Sequence, residues 1–261
     1  MSESAPLRIA MAGAGRMGQA IIAAIEGRKD VTLASVWQRA AAPAATGAVL
    51  RSDDVEAVAA AADVVIDFSL PDGTVRVVEA CRALSKPLVC GVSGLDTHQY
   101  ALLDEAARNI PIVYDRNMSQ GIAVLQALVS RAVAALGNDF EVGIGEVHHV
   151  HKKDAPSGTA LKLGEAVAAA RGRQLTDLAW YGPEADTAEP RSGQIRFDVE
   201  RRGEVPGEHT LTFSSPTETV TLGHSVTTRG VFADGAVRAA LWVAGRPPGR
   251  YDMGDVLTMA D

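Results

Sequence analysis

The chain has 261 residues, 47% of them hydrophobic and 22% charged, with a formal net charge of -7. That length suits one large domain or two modest ones, and the composition is that of a packed globular protein rather than a disordered chain. The acidic balance argues against nucleic acid as a partner. No run is expected to approach the roughly 20 apolar residues of a membrane-spanning helix. The opening residues Met1–Pro6 lack the basic and then apolar pattern of a signal peptide, so the expectation is a cytoplasmic protein with no membrane partner. The two cysteines, Cys81 and Cys90, form no C-x-x-C pair and are expected to be reduced and buried.

Leu7–Ala12 is a short apolar run that predicts a strand, and it leads directly into Gly13-Ala14-Gly15-Arg16-Met17-Gly18. Met17, Ile21, Ile22 and Ile25 then recur at the spacing of one buried helix face. Val31–Trp37, Val64–Phe68, Leu88–Val92 and Ile110–Tyr114 predict further strands. Val55–Ala62 and Tyr100–Arg108 predict helices between them. This alternation predicts an α/β domain with a parallel sheet covered on both faces.

The pattern changes after Met118. Gln120–Leu136 predicts a long amphipathic helix, Phe140–Val150 an extended segment and Thr159–Ala170 another helix. Gln194–Arg201, His209–Ser214 and Thr219–Val226 predict strands, taken here as an antiparallel sheet in a smaller α+β domain. Ala233–Ala244 predicts a final helix. No internal repeat is evident.

The Gly13-x-Gly15-x-x-Gly18 motif stands between a strand and a helix, the context in which it binds a dinucleotide. Gly13 permits the tight turn, Gly15 lets the backbone approach a pyrophosphate, and Gly18 allows close packing of helix on strand. The pyrophosphate then rests on the N–H groups of the helix start. At the end of the second strand, Val36-Trp37-Gln38-Arg39 holds no acid for a ribose 2′-hydroxyl but does hold Arg39, which suits a 2′-phosphate. The expectation is that NADPH is used at least as well as NADH.

Glu146-Val147-His148-His149-Val150-His151-Lys152-Lys153-Asp154-Ala155-Pro156-Ser157-Gly158-Thr159-Ala160 gathers proton donors on an extended run that turns into a helix. Ser157 is the expected N-cap. The N–H groups of Gly158, Thr159 and Ala160 would be available to an anion, with His149 and Lys152 adding positive charge. A carboxylate ligand fits. His148 or Lys152 is placed to supply a proton. Zinc at His148, His149 and His151 is not expected, because no Cys, further His or H-E-x-x-H spacing completes a set. Ser157 lacks the G-x-S-x-G setting of a nucleophile. A solvated basic loop is the remaining alternative.

The same stretch, E-x-H-H-x-H-K-x-D-A-P-S-G-T-A, resembles the signature of the 4-hydroxy-tetrahydrodipicolinate (dihydrodipicolinate) reductase family. The resemblance extends to Gly13–Gly18, Asp67-Phe68-Ser69-x-Pro71-x-Gly73-Thr74, Asn117-x-Ser119-x-Gly121, Gly207-Glu208-His209-Thr210 and Phe232-Ala233-x-Gly235-Ala236. It implies a Rossmann-type dinucleotide-binding domain, residues 1–118 and 231–261, and a substrate-binding and oligomerisation domain, residues 119–230, that builds a homotetramer. It implies NAD(P)H-dependent reduction of a cyclic dicarboxylate in lysine biosynthesis. By that resemblance His148 is the proton donor or acceptor and Lys152 the second catalytic group, while His149, Ser157, Gly158 and Thr159 belong with a substrate carboxylate. The glycine loop, Gln38, Arg39, Phe68, Ser69, Gly73, Gly91-Val92-Ser93 and Asp115-Arg116-Asn117-Met118 belong with the cofactor.

The chain departs from the family pattern in a shorter glycine loop, in Gln38 where an acid is common, in Leu70 where an arginine is often found, in Val92-Ser93 within a G-T-T-G, and in Met118 where an aromatic is frequent. These departures leave room for two other readings, a reductase of a different cyclic imine and a nucleotide-binding homologue without turnover.

Overall fold

In the computed structural model, the described residues are 5–38, 49–182 and 192–257. Arg39, the expected 2′-phosphate residue, lies outside them. The chain divides into two compact units, residues 1–120 with 229–261, and residues 121–228.

The first unit contains β1 (Leu7–Ala12), α1 (Arg16–Ile25), β2 (Val31–Trp37), β3 (Leu50–Ser52), α2 (Val55–Ala60), β4 (Val64–Asp67), α3 (Pro71–Ala83), β5 (Leu88–Cys90), α4 (Thr97–Ala106) and β6 (Pro111–Tyr114). The second contains α5 (Gln120–Leu136, whose first residue still belongs to the first unit), β7 (Glu141–His148), α6 (Gly158–Ala170), α7 (Leu175–Leu178), β8 (Ala179–Trp180), β9 (Ile195–Arg201), β10 (Gly207–Ser214) and β11 (Thr219–Val226). The chain then returns to the first unit with α8 (Gly230–Val243), β12 (Gly249–Tyr251) and α9 (Met253–Val256).

The first sheet has the order β12-β6-β5-β4-β1-β2-β3, and every pairing in it is parallel. β4, β5 and β6 are buried along their whole length, as strands covered on both faces must be. Helices α2, α3 and α4 lie over one face, joined to Ala10, Val65 and Leu88 in a single apolar cluster. Helix α8 packs on α1 and on β4, β5 and β6. The strand order reverses between β1 and β4, and the crevice beyond the carboxyl ends of such a pair is where this class of sheet binds ligands. Cys81 and Cys90 are free and buried, as expected.

The second sheet has the order β11-β10-β7-β9-β8. It is mixed rather than antiparallel. β10 pairs antiparallel with β7 and β11, but β9 runs parallel to both β7 and β8. The reason is the α6 crossover between β7 and β9, since a helical connection returns the chain in the same direction. Helices α5 and α6 supply Ile122, Leu125, Val129, Leu163 and Val167 to a core shared with Ile144, Phe197, Leu211 and Phe213.

Residues 120–139 correct one expectation. Their 18-residue window has a mean hydropathy of 1.4, enough by length and composition alone to cross a membrane, because alanine, valine and leucine surround only a few polar side chains. Ile122, Leu125, Val129 and Val133 nonetheless sit in the protein core, and a core helix meets the same criterion.

Candidate active site

The glycine loop joins β1 to α1. Gly13 has φ +96°, and a Cβ there would lie 2.7 Å from the Phe68 carbonyl oxygen, so both conformation and space demand glycine. A Cβ at Gly18 would collide with the Gly13 carbonyl oxygen, so this glycine protects the turn itself. A Cβ at Gly15 would meet nothing within 4 Å. Gly15 is also the N-cap of α1 and supplies no side-chain hydrogen bond to its first turn. Packing within the described residues therefore does not demand glycine at position 15.

Gly13, Ala14, Gly15, Trp37, Gln38, Phe68, Ser69, Leu70 and Gly73 line a cavity of about 370 Å³. The fit to a dinucleotide is good: a glycine cradle, an uncapped helix start and largely apolar walls. Arg16, Met17 and Gly18 form the first turn of α1 beside it. The Phe68 ring lies against Gly91, where a Cβ would strike it. Val92 is buried, and its carbonyl accepts from the Tyr114 hydroxyl at 3.4 Å; Ser93 is exposed. Arg76, which sequence reading did not single out, stacks over the Trp37 ring at 5.2 Å from its centroid.

Asp115 is buried. Its carboxylate accepts from the Asn117 N–H at 3.0 Å and from the Met253 N–H at 3.3 Å, so it ties the loop after β6 to the start of α9. Asn117 Oδ1 accepts from the Ser119 N–H at 2.9 Å. Arg116 lies between them, half-buried. The Met118 side chain is buried, and its carbonyl packs where Gly235 leaves room.

In the second unit the alternation of β7 places Val142, Ile144, Glu146 and His148 on one buried face. A carboxylate and an imidazole thus continue a row of core residues. Register supplies their neighbours: His209 on β10 stands opposite Glu146, and Arg201 on β9 stands opposite His148. Glu146 Oε1 accepts from the Ser157 N–H at 3.0 Å and from Arg201 Nη2 at 3.1 Å. Glu146 Oε2 faces His148 Nδ1 at 3.3 Å and His209 Nε2 at 3.9 Å. The rings of His148 and His209 meet edge to face, 5.1 Å between centroids.

Burial alone would raise the Glu146 carboxyl, but hydrogen bonds from His148 and Ser157 and the nearby imidazole charge outweigh it and hold the group at about 2. Burial, reinforced by His148, pushes His209 down to about 4, so it is neutral at pH 7.

Ser157 is the N-cap of α6, its Oγ accepting from the Ala160 N–H at 3.2 Å. This corrects the expectation that the Ala160 N–H is available to a ligand. Ser157 Oγ also lies 3.3 Å from His209 Nε2. Between His148 and Ser157 the loop is braced by Arg201, which donates to the carbonyls of Lys152 and Asp154. Lys152 pairs with Asp154 at 2.8 Å. Burial raises the Asp154 carboxyl, but the Lys152 hydrogen bond and charge bring it below its ordinary value. His149 lies beside His151, 6.1 Å between ring centroids, and the exposed His151 pairs with Glu204.

The three histidines of the motif therefore do not converge, but a different trio does. The donor atoms of Glu146, His148 and His209 lie within 4.8 Å of one another, a set of the type that can hold a metal ion. Against the expectation that no further histidine completes a set, His209, 61 residues further along the chain than His148, joins it in the fold. Arg201 already places a cation on this carboxylate, so a metal ion would add a second positive charge beside the guanidinium. A network that holds protons fits the trio better.

Residues 7–118 match the family model described as dihydrodipicolinate reductase, N-terminus, and residues 121–257 match the one described as dihydrodipicolinate reductase, C-terminus. The 4-hydroxy-tetrahydrodipicolinate reductase of Caulobacter vibrioides is 45% identical over 97% of this chain and 98% of its own length. That of Alkalilimnicola ehrlichii is also 45% identical, over 96% and 98%. Among solved structures, a dihydrodipicolinate reductase from Paenisporosarcina sp. TG-14 with dipicolinate bound superposes with a TM-score of 0.78 at 22% identity, covering 97% of this chain and 100% of that one, which speaks to the fold. Both units of the chain and nearly its whole length are thus accounted for by one family: this protein belongs to the dihydrodipicolinate reductases.

Proposed function

We propose that the chain reduces 4-hydroxy-tetrahydrodipicolinate to tetrahydrodipicolinate in the diaminopimelate route to lysine, with a pyridine nucleotide as reductant. The observation that carries this reading is the loop from His148 to Thr159. A buried imidazole backed by a carboxylate stands at one end, and the Ser157-capped start of a helix, a geometry that suits an anion, stands at the other. Relatives named for this reaction match over nearly the full chain, and a structurally similar reductase binds dipicolinate, a planar ring dicarboxylate.

When bound in the glycine-loop cavity, the nucleotide supplies a hydride for a ring carbon of the conjugated imine. The chain's own residues do the rest. Gly158 and Thr159 hold one substrate carboxylate through backbone N–H groups and a hydroxyl, with His149 adding charge. His148 delivers the proton that the neighbouring ring position requires. Lys152, steadied by Asp154, is the second catalytic group and lends positive charge to the dicarboxylate.

The cofactor preference proposed is NADPH at least equal to NADH, resting on Arg39 and on the missing acid at Gln38. By the same family reading the protein works in the cytoplasm as a homotetramer, which light scattering of the purified protein checks. The test of the reaction generates the unstable substrate in place, from pyruvate and aspartate semialdehyde with the preceding synthase, and follows loss of NADPH absorbance. Loss that depends on the synthase supports the reading. No loss with either nucleotide, in protein that binds one of them, overturns it.

A further inference from the structure

We propose that Glu146 is the positioning residue of the His148 imidazole, holding a proton on Nδ1 so that Nε2 is the nitrogen that exchanges a proton with substrate. The inference rests on the reading of His148 as the proton-transfer group and adds the group that sets its tautomer and orientation.

Four observations carry it. Glu146 Oε2 lies 3.3 Å from His148 Nδ1, and among the described residues neither of these buried atoms has another hydrogen-bond partner. The other imidazole nitrogen facing this oxygen, His209 Nε2, stands farther off at 3.9 Å. The carboxylate cannot turn away, because Oε1 is fixed by the Ser157 N–H and by Arg201. The Glu146 side chain is 1% exposed, so the pair is shielded from bulk solvent. Finally, Nε2 points toward Gly207, where a Cβ would come within 3.1 Å of it. The strand is therefore free of a side chain where the outer ring nitrogen must meet a ligand.

Hydride addition leaves an electron-rich ring carbon. That carbon's electron pair takes the Nε2 proton of the imidazolium, forming the C–H bond as the N–H bond breaks. The N–H electron pair stays on Nε2. The neutral imidazole keeps its Nδ1 proton facing the Glu146 carboxylate, which remains ionised throughout, and solvent restores the Nε2 proton. A carboxylate behind an imidazole in this way fixes the tautomer and stabilises the imidazolium without taking the proton itself.

Nitrogen-15 spectra of histidine-labelled protein, combined with steady-state kinetics of Glu146→Gln, test this. In the wild-type protein above the His148 titration, the neutral ring is expected to carry its proton on Nδ1. In Glu146→Gln, whose amide can donate to Nδ1, the proton should move to Nε2, and kcat should fall by about 10² or more with KM within about threefold. A wild-type ring protonated on Nε2 overturns the proposal, and this holds even where the variant fails to fold. So does a Glu146→Gln enzyme with wild-type kcat while His148→Gln is inactive. Wild-type turnover in His148→Gln instead defeats the catalytic reading on which the inference rests, so the two failures are distinguishable.

Discussion

His209 and Glu146 are register partners on β10 and β7, and this pairing brings His209 Nε2 to 3.9 Å from Glu146 Oε2 inside the second unit. One group is held charged and the other neutral, and both arrangements are lost in acid. The His209 ring sits at about 4 against an ordinary 6.5. Its unfolded form takes up a proton first, so its contribution is complete above about 6.5 and declines as pH falls toward 4. The Glu146 carboxyl sits at about 2 against an ordinary 4.5, so its contribution is complete above 4.5 and is lost on the way to 2. Thermal unfolding followed from pH 7 to 3 should show Tm falling in two overlapping stages, amounting to a few kcal/mol in all at about 1.4 kcal/mol per unit. His209→Asn should flatten the upper stage and Glu146→Gln the lower.

Thr159→Val keeps the shape of the side chain and removes its hydroxyl. With one hydrogen bond to a charged carboxylate gone, KM for substrate should rise about tenfold or more, with kcat changed far less. Equal losses in kcat and kcat/KM would place Thr159 in the transition state rather than in ground-state binding.

The glycine loop separates folding from binding. Gly18→Ala drives a Cβ into the Gly13 carbonyl and should cost about 2 kcal/mol or more of stability, visible as a lowered Tm. Gly15→Ala meets nothing in the protein itself, so Tm should hold while NADPH affinity, read by fluorescence titration, falls at least about tenfold as the methyl group blocks approach of the pyrophosphate.

Arg39→Ala should raise KM for NADPH about tenfold or more and leave that for NADH nearly unchanged, because only NADPH carries the 2′-phosphate. Equal effects on both nucleotides would remove Arg39 from cofactor selection. Arg76, stacked on Trp37, is then the next guanidinium to replace.

Much of the parallel-sheet unit is legible in sequence because apolar strands alternate with amphipathic helices and the glycine loop marks the β1–α1 turn. β3 escapes notice as a three-residue edge strand. α3 escapes because Pro71-Asp72-Gly73 has the composition of a turn, whereas the proline occupies the first helical position, where its missing N–H costs nothing. The parallel course of β9 depends on the α6 crossover and has no local signal.

In the candidate site, the His148–Thr159 stretch is visible because its residues are contiguous. Glu146 stands in the same stretch without an assigned role; its place in the apolar alternation of Val142, Ile144 and His148 is the signal the sequence offers, since a carboxylate on a core face needs partners. Arg201 and His209 are more than 50 residues from Glu146 and His148 and meet them only through strand register. Asp154 lay inside the motif, yet its pairing with Lys152 shows only in the folded loop.

The most direct measurement is kcat of His148→Gln beside wild type in the synthase-coupled assay, with nucleotide binding verified for both. The wild-type protein is expected to oxidise NADPH only when the synthase is present, and kcat of the variant to fall by about 10² to 10⁴ with KM largely retained. Undiminished turnover in a folded His148→Gln protein would mean that this imidazole does not deliver the proton.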